Sequence, residues 1–393
     1  MHPKIILKPH KEKPVLAHHP WIFSGAIARV ENAHDGDTVD VCDSAGKFIA
    51  RGYYNSQSQI AVRVWTWDDE PIDRTFFQRR LQAALAARTR LINHTTTNAY
   101  RWVNAESDGM PGLIVDRYAD VVVVQCLTLG IEKRKTEIMD GLMELGAHTI
   151  YERSDVDVRE KEGLSAVVGV LRGEEPAERV EIVENGLRFL VDVKRGHKTG
   201  FYLDQRENRQ KVAELFRAAE ILNVFAYTGG FAVYLCAAHP NARVINLDAS
   251  HDVLELAREN LRLNRCQGRG EFVAGDAFSV LRQYRDRGRS FDAIILDPPK
   301  FVPTQSQLNA GLRGYKDLNW LAFKLLKPGG LLATFSCSGQ VSAALFQKVV
   351  FEATTDAKRD AQIIAKLSQS SDHPIRLSFP ESEYLKGLVC RVL

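Results

Sequence analysis

The sequence predicts an α/β protein. Its C-terminal part should be a mainly parallel sheet with an antiparallel edge strand, preceded by a β-rich N-terminal module and a central α+β module. Three observations carry this expectation. Residues 1 to about 70 are short apolar or alternating runs broken by turns. Residues 73–94 have apolar positions at helical spacing, and mixed strand and helix signals follow. From about residue 205, strand and helix patterns alternate regularly, which implies a parallel sheet with helices on both faces. A length of 393 residues allows two or three domains, and the changes of pattern place them at 1–72, 73–190 and 191–393.

Composition narrows the function classes. The chain is 45% hydrophobic and 26% charged, far from a disordered profile. Its 52 basic and 49 acidic residues leave a net charge of +3, so a nucleic-acid site must come from local clusters. Six scattered cysteines without a CxxC pair argue against a disulfide framework and against a zinc site, so no metal is expected. The start, MHPKIILKPHKEKP, lacks an apolar run of signal-peptide length, and no run approaches a membrane span. A cytoplasmic protein with reduced thiols is expected.

In the first module the strands are KIILK, TVDVCD, FIARGYY and QIAVRVWTW, with 19–27 (HPWIFSGAI) as a helical turn. Trp21 and Phe23 there read as core or interface anchors, and Lys47, Arg51 and Arg63 as phosphate contacts if they share a face. In the central module RWVNAESD, LIVDRYADVVVVQCL and TIYERSDVDV read as strands and Lys133–Leu145 as a helix, with a hairpin turn at DGMPG. GLRFLVDV is one more strand. In the last module the strands are ILNVFAY, RVINLDA, GEFVAGDA, FDAIILD and GGLLATFSC. The helices there fall near 205–219, 230–239, 251–264, 278–287, 315–327 and 341–354, and 375–393 should form two strands at the sheet edge.

Ligands of such sheets sit at the carboxyl ends of the strands, so the residues there matter most. The first strand ends in Phe225-Ala226-Tyr227-Thr228-Gly229-Gly230, whose small residues allow a tight turn into a helix N-terminus. The second ends in Asp248-Ala249-Ser250; a carboxylate there suits the two hydroxyls of a ribose, and Ser250 suits a helix cap. The third ends in Asp276-Ala277-Phe278, where the acid can meet an adenine amino group or cap a helix. The fourth ends in Asp297-Pro298-Pro299-Lys300, whose prolines hold the backbone extended above the sheet. The fifth ends in Ser336-Cys337-Ser338-Gly339, which places one cysteine, unlike the other five, at the same edge.

This order of glycine turn, acid, acid, DPP and terminal cysteine resembles the class I S-adenosylmethionine-dependent methyltransferases, with their Rossmann-like sheet. A thiolate beside a methyl donor suggests a carbon acceptor. Carbon 5 of a pyrimidine becomes nucleophilic once a thiolate adds to carbon 6. Cys337 would add, Asp297 would contact the ring near N3, and Lys300 would assist.

The resemblance becomes closer over nearly the whole chain. HPWIFSGAI, NAESDGMPGLIVDRYAD, KTGFYLDQRENR, FAYTGGF, LDAS, DPPKF, GYKDLN and TFSCSG stand in the order seen in a bacterial family. The chain resembles the ribosomal RNA large-subunit (23S) cytosine-5 methyltransferases with an N-terminal PUA domain. The resemblance implies an RNA-binding PUA module, S-adenosyl-L-methionine as cofactor, Cys337 as nucleophile and 23S ribosomal RNA as partner. It also suggests that Phe201 and Gln205 close over the cofactor, and that Lys198, Arg206, Tyr315 and Lys316 face the substrate. Basic clusters at 194–198 and 133–135 are further phosphate candidates. Edge strands of the central module would allow a homodimer. Three alternatives stay open: uracil carbon 5 methylation by the same thiol chemistry, methylation of an exocyclic amine, and a non-catalytic RNA-binding factor.

Overall fold

The computed structural model describes residues 3–393 and divides them into two compact units. The first comprises residues up to 186 with 191–203 and 371–382; the second comprises 187–190, 204–370 and 383–393.

The first unit opens with β1 (Lys4–Leu7), α1 (Lys13–Leu16), β2 (Trp21–Ile22), β3 (Ile27–Glu31), β4 (Thr38–Cys42), β5 (Phe48–Tyr54) and β6 (Val62–Thr66). They form a six-stranded sheet in the order β2-β6-β5-β4-β1-β3 around a core of Ile5, Leu7, Val39, Val41, Val62 and Val64. The sequence expectation of one helical turn over 19–27 missed β2 and β3; only Ser24–Ala26 is a helical turn. Gly52 is required where β5 meets β6, because a Cβ there would lie 2.4 Å from the Arg63 carbonyl oxygen.

Helix α2 (Arg74–Leu91) starts at Asp73, whose Oδ1 accepts from the Phe76 amide at 2.9 Å. It buries Phe76, Phe77, Leu81 and Ala84 in one core with Trp65, Trp102 and Ile138. Strands β7 (Ala99–Asn104), β8 (Leu113–Tyr118) and β9 (Val121–Cys126), helix α3 (Leu129–Glu144), and strands β10 (Thr149–Ser154) and β11 (Val167–Arg172) follow. The sheet order is β11-β10-β9-β8-β7. The long run 113–127 is a hairpin rather than one strand, because Ala119 takes a left-handed φ of 53° and reverses the chain. The hairpin foreseen at DGMPG joins β7 to β8. Strands β12 (Val180–Glu184) and β13 (Leu187–Val191) come next in the chain.

The second unit contains α4 (Arg206–Leu215), β14 (Glu220–Val224), α5 (Gly230–Ala238), β15 (Arg243–Asp248), α6 (His251–Leu263), β16 (Gly270–Ala274) and α7 (Ala277–Asp286). It continues with β17 (Phe291–Leu296), α8 (Leu308–Leu325), β18 (Leu326–Ser336), α9 (Ala343–Ala357), β19 (Ala361–Ser368) and β20 (Lys386–Val392). The sheet runs β16-β15-β14-β17-β18-β20-β19. The first five are mutually parallel, and β20 is antiparallel to both β18 and β19. The antiparallel strand therefore lies one place inside the edge. Residues 375–393 supply only one strand, and its outer partner β19, with half-exposed AQIIAKLS, escaped the apolar pattern. Helix α8 begins at Leu308, earlier than the expected 315. No helix among the described residues is long and apolar enough to cross a membrane.

Candidate active site

The parallel register brings the predicted strand ends to one edge of the sheet. Val224 pairs with Leu247 and with Leu296, Asp248 with Ala274, and Leu296 with Thr334. The loop after β14 is tightly wound: Phe225, Tyr227 and Gly229 take left-handed φ values of 61°, 47° and 76°. Such a backbone costs about 1–2 kcal/mol at each non-glycine residue and needs fixed partners. Asp248 supplies one. Its Oδ2 accepts from the Tyr227 amide at 2.9 Å and its Oδ1 from the Ser250 amide at 3.1 Å. A carboxylate retains further lone pairs, so Asp248 shapes the loop and stays able to accept from a ligand. Ala249 beside it is exposed. Ser250 occupies the N-cap of α6 as expected, but its side chain makes no cap bond.

The missing Cβ of Gly229 faces α6, where an added one would lie 3.0 Å from that of Ala257; that of Gly230 would lie 3.0 Å from Arg209 Cδ. These glycines thus serve the turn and close helix packing. Thr228 is buried, and its carbonyl accepts from Asn260 at 3.0 Å.

Asp276 is the N-cap of α7: Oδ2 accepts from the Ser279 amide at 2.8 Å. Bonds from the Ser279 hydroxyl and amide hold its carboxyl below the usual range. Ala277 is buried behind it, and the Phe278 ring lies 6.2 Å from that of Phe301. At the fourth strand end Asp297 is half-buried, Pro298 buried and Lys300 exposed. Gln205 donates its amide to Asp297 Oδ2 at 2.9 Å and is itself held by Asn208 at 2.6 Å.

Cys337 follows β18. Among the described residues it is the one half-buried cysteine; Cys42, Cys126, Cys236, Cys266 and Cys390 are buried. Its serine neighbours are pinned. Ser336 donates to the Tyr315 hydroxyl at 3.0 Å, and the Tyr315 hydroxyl lies 3.0 Å from Ser338 Oγ. Ser338 Oγ also accepts from the Val302 amide at 3.2 Å, which ties the cysteine loop to the DPPKF loop. The reactive candidates Asp297 and Cys337 thus lie on two loops that brace each other.

The expected substrate contacts Tyr315, Lys316 and Arg206 are corrected. Tyr315 is 0% exposed and supports the cysteine loop, with burial pushing its phenol up. Lys316 instead links α8 to α9 through Asp356 at 2.9 Å and Glu352 at 3.7 Å. Arg206 is 4% exposed and pairs with Glu207 at 3.7 Å. Lys198 and Phe201 belong to the first unit. There Lys198 Nζ lies 4.6 Å from the centroid of the Tyr202 ring, and the Phe201 amide donates to the Tyr118 hydroxyl at 3.1 Å. Arg51 and Arg63 do not share an open face. Arg51 pairs with Asp40 at 2.7 Å and Arg63 with Glu106 at 2.9 Å. Trp21 is an anchor, donating Nε1 to Glu106 at 2.7 Å, whereas Phe23 is 51% exposed.

One residue beside Cys337 escaped the sequence reading. Lys386, at the start of β20, is buried and donates Nζ to the carbonyls of Ser338 at 3.0 Å and Tyr384 at 2.9 Å. Burial pulls its ammonium below the ordinary lysine range. A single lysine in EYLKGLVC carries no spacing signal, and only strand pairing brings it to the cysteine loop.

Residues 5–67 match the family described as a PUA-like domain, and 156–377 match the S-adenosylmethionine-dependent methyltransferase family. A ribosomal RNA large subunit methyltransferase I from Aeromonas salmonicida is 50% identical, covering 98% of both chains. Its counterpart from Shewanella denitrificans is 49% identical, covering 99% of both. The chain belongs to the ribosomal RNA large subunit methyltransferase I family. Two solved structures share the fold across 99% of both chains: one from Streptococcus mutans (TM-score 0.85, 22% identity) and SMU.776 complexed with SAH (TM-score 0.86, 21% identity). The family is S-adenosylmethionine-dependent, and the residues around the left-handed loop fit such a cofactor. Asp248 and Asp276 offer carboxylate acceptors at adjacent strand ends, where a ribose and an adenine amine each need one.

Proposed function

We propose that this chain methylates carbon 5 of a cytosine in large-subunit (23S) ribosomal RNA through a covalent Cys337 step. The observation that carries the reading is the half-buried Cys337 at a strand's carboxyl end, on a loop braced against the Asp297 loop. The relatives' names supply the ribosomal RNA, and the PUA-like match supplies a module for binding it.

In this reading Phe225, Tyr227, Thr228, Gly229, Gly230, Asp248, Ala249, Ser250, Asp276, Ala277, Asp297 and Pro298 hold the cofactor, with Gln205 closing over it. S-adenosylmethionine supplies an electrophilic methyl group. The thiolate of Cys337 adds to carbon 6 of the pyrimidine, and the ring electrons it displaces make carbon 5 nucleophilic. Asp297, oriented by Gln205, contacts the ring near N3, and the exposed Lys300 assists. After transfer a base takes the carbon 5 proton, the ring regains its double bond and Cys337 departs. Lys198 contacts the RNA.

The test uses unmodified large-subunit ribosomal RNA, tritiated-methyl S-adenosylmethionine, and wild-type and Cys337→Ala protein, followed by nucleoside analysis. Label in 5-methylcytidine with wild type only, while Cys337→Ala still binds cofactor, is the expected result. Label in 5-methyluridine changes the base and keeps the mechanism. Label in a methylated purine, unaffected by Cys337→Ala, overturns the covalent step.

A further inference from the structure

We propose that Lys386 is the group that holds Cys337 as a thiolate. This deepens the covalent reading and rests on Cys337 being the reactive thiol. Lys386 faces Ser336 directly across the antiparallel β18–β20 pair, one residue before the cysteine. Its side chain is 6% exposed, and Nζ donates to the carbonyl of Ser338, one residue after the cysteine. The second donated bond goes to the Tyr384 carbonyl. An ammonium carries three N–H donors, so these two bonds leave one over.

A buried cation ordinarily sits against a carboxylate. Among the described residues no carboxylate lies within ion-pair distance of Lys386 Nζ. The acidic groups whose charge can act on it are Glu383, at longer range, and the Cys337 thiol once it ionises. The other titratable groups around the cluster are the buried phenol of Tyr315 on α8, Asp297 and Lys300 on the DPPKF loop, and Tyr384, which donates to Asp204 Oδ2 at 2.7 Å. A strut for two carbonyls needs no charge beyond its hydrogen bonds. A cation set in the cysteine loop without a carboxylate does more: it lowers the cost of a negative sulfur. On ionisation the Cys337 S–H bond breaks, the proton leaves to solvent, and sulfur keeps the pair that later forms the C–S bond.

The test measures iodoacetamide alkylation of the Cys337 peptide against pH by mass spectrometry, in the full chain. Wild type, Lys386→Met and Lys386→Arg are compared, with Cys337→Ala as the control for other thiols. Wild type should reach half-maximal rate well below an ordinary thiol pKa of about 8.5. Lys386→Met should move that midpoint up by at least about one unit, leaving roughly tenfold less thiolate at neutral pH, while Lys386→Arg restores most of the shift. A wild-type midpoint at or above the ordinary value overturns the proposal whether or not any variant folds. An unmoved profile in folded Lys386→Met makes the lysine a strut. The profile is read without RNA or methyl transfer, so a failure of the cytosine assignment in the nucleoside assay leaves this result standing or falling separately.

Discussion

The two units bury charge in opposite ways. In the first unit, buried arginines meet carboxylates directly. Arg63 bridges Glu106 and Glu162, Arg88 holds both oxygens of Asp108, and Arg101 holds both oxygens of Asp116. In the second unit, several charged groups near the strand ends are held by neutral partners. Asp248 and Asp276 take backbone amides, and Lys386 takes two carbonyls. A carboxylate whose charge is cancelled by a guanidinium acts as a fastener. One held by neutral dipoles keeps its field for whatever arrives. The same residue types therefore build a scaffold in one unit and a site in the other.

Breaking one of the fasteners gives the largest effect on stability. Arg101→Ala leaves Asp116 buried without its cation and should lower stability by about 3–5 kcal/mol, read by urea unfolding. Thr199 Oγ1, which donates to Asp116 at 2.6 Å, replaces only a small part of that loss. Cofactor affinity should hardly change in protein that remains folded.

Changing the acid at the second strand end reverses the balance. Asp248→Asn should weaken S-adenosylmethionine binding about tenfold, roughly 1.4 kcal/mol by the usual conversion, read by calorimetry. An asparagine oxygen can still accept from Tyr227, so the melting temperature should move little. Equal losses of affinity and stability would mean that Asp248 only shapes the loop.

The smallest effect belongs to Asp276→Ala, which removes a helix cap at a cost of about 1 kcal/mol. Because the folded-state carboxyl is depressed, its contribution is present above the unfolded carboxyl pKa and fades as pH falls through the folded value. Wild type and variant should therefore converge in stability in acid. A loss of cofactor affinity larger than the loss of stability would show that Asp276 also meets the ligand.

Much of the candidate site was legible because it lies at the ends of strands with strong local signals. FDAIILDPPK and GGLLATFSCSG each contain an apolar run that can only be a buried strand, so Asp297 and Cys337 follow at a known place. The regular alternation from residue 205 then sets five of these ends along one edge. Tyr315 and Lys316 were misread because the segment GYKDLN does not show which helix face points inward. Helix α8 starts earlier than its pattern suggests and buries the tyrosine under the cysteine loop. Arg51 and Arg63 looked like phosphate ligands because a sequence shows cations without their partners.

The sequence by itself determined the alternation of strands and helices in the second unit, the polar groups at the strand ends and the singular place of Cys337. These follow from period, turn residues and order along the chain. Tertiary structure alone decided which charges were cancelled, where β20 inserted and what stood beside the thiol. Lys386 reaches the cysteine loop only because β20 runs antiparallel to β18 in a register that sets it opposite Ser336. Strand pairing across some fifty residues is a long-range choice made by packing, and no local pattern encodes it.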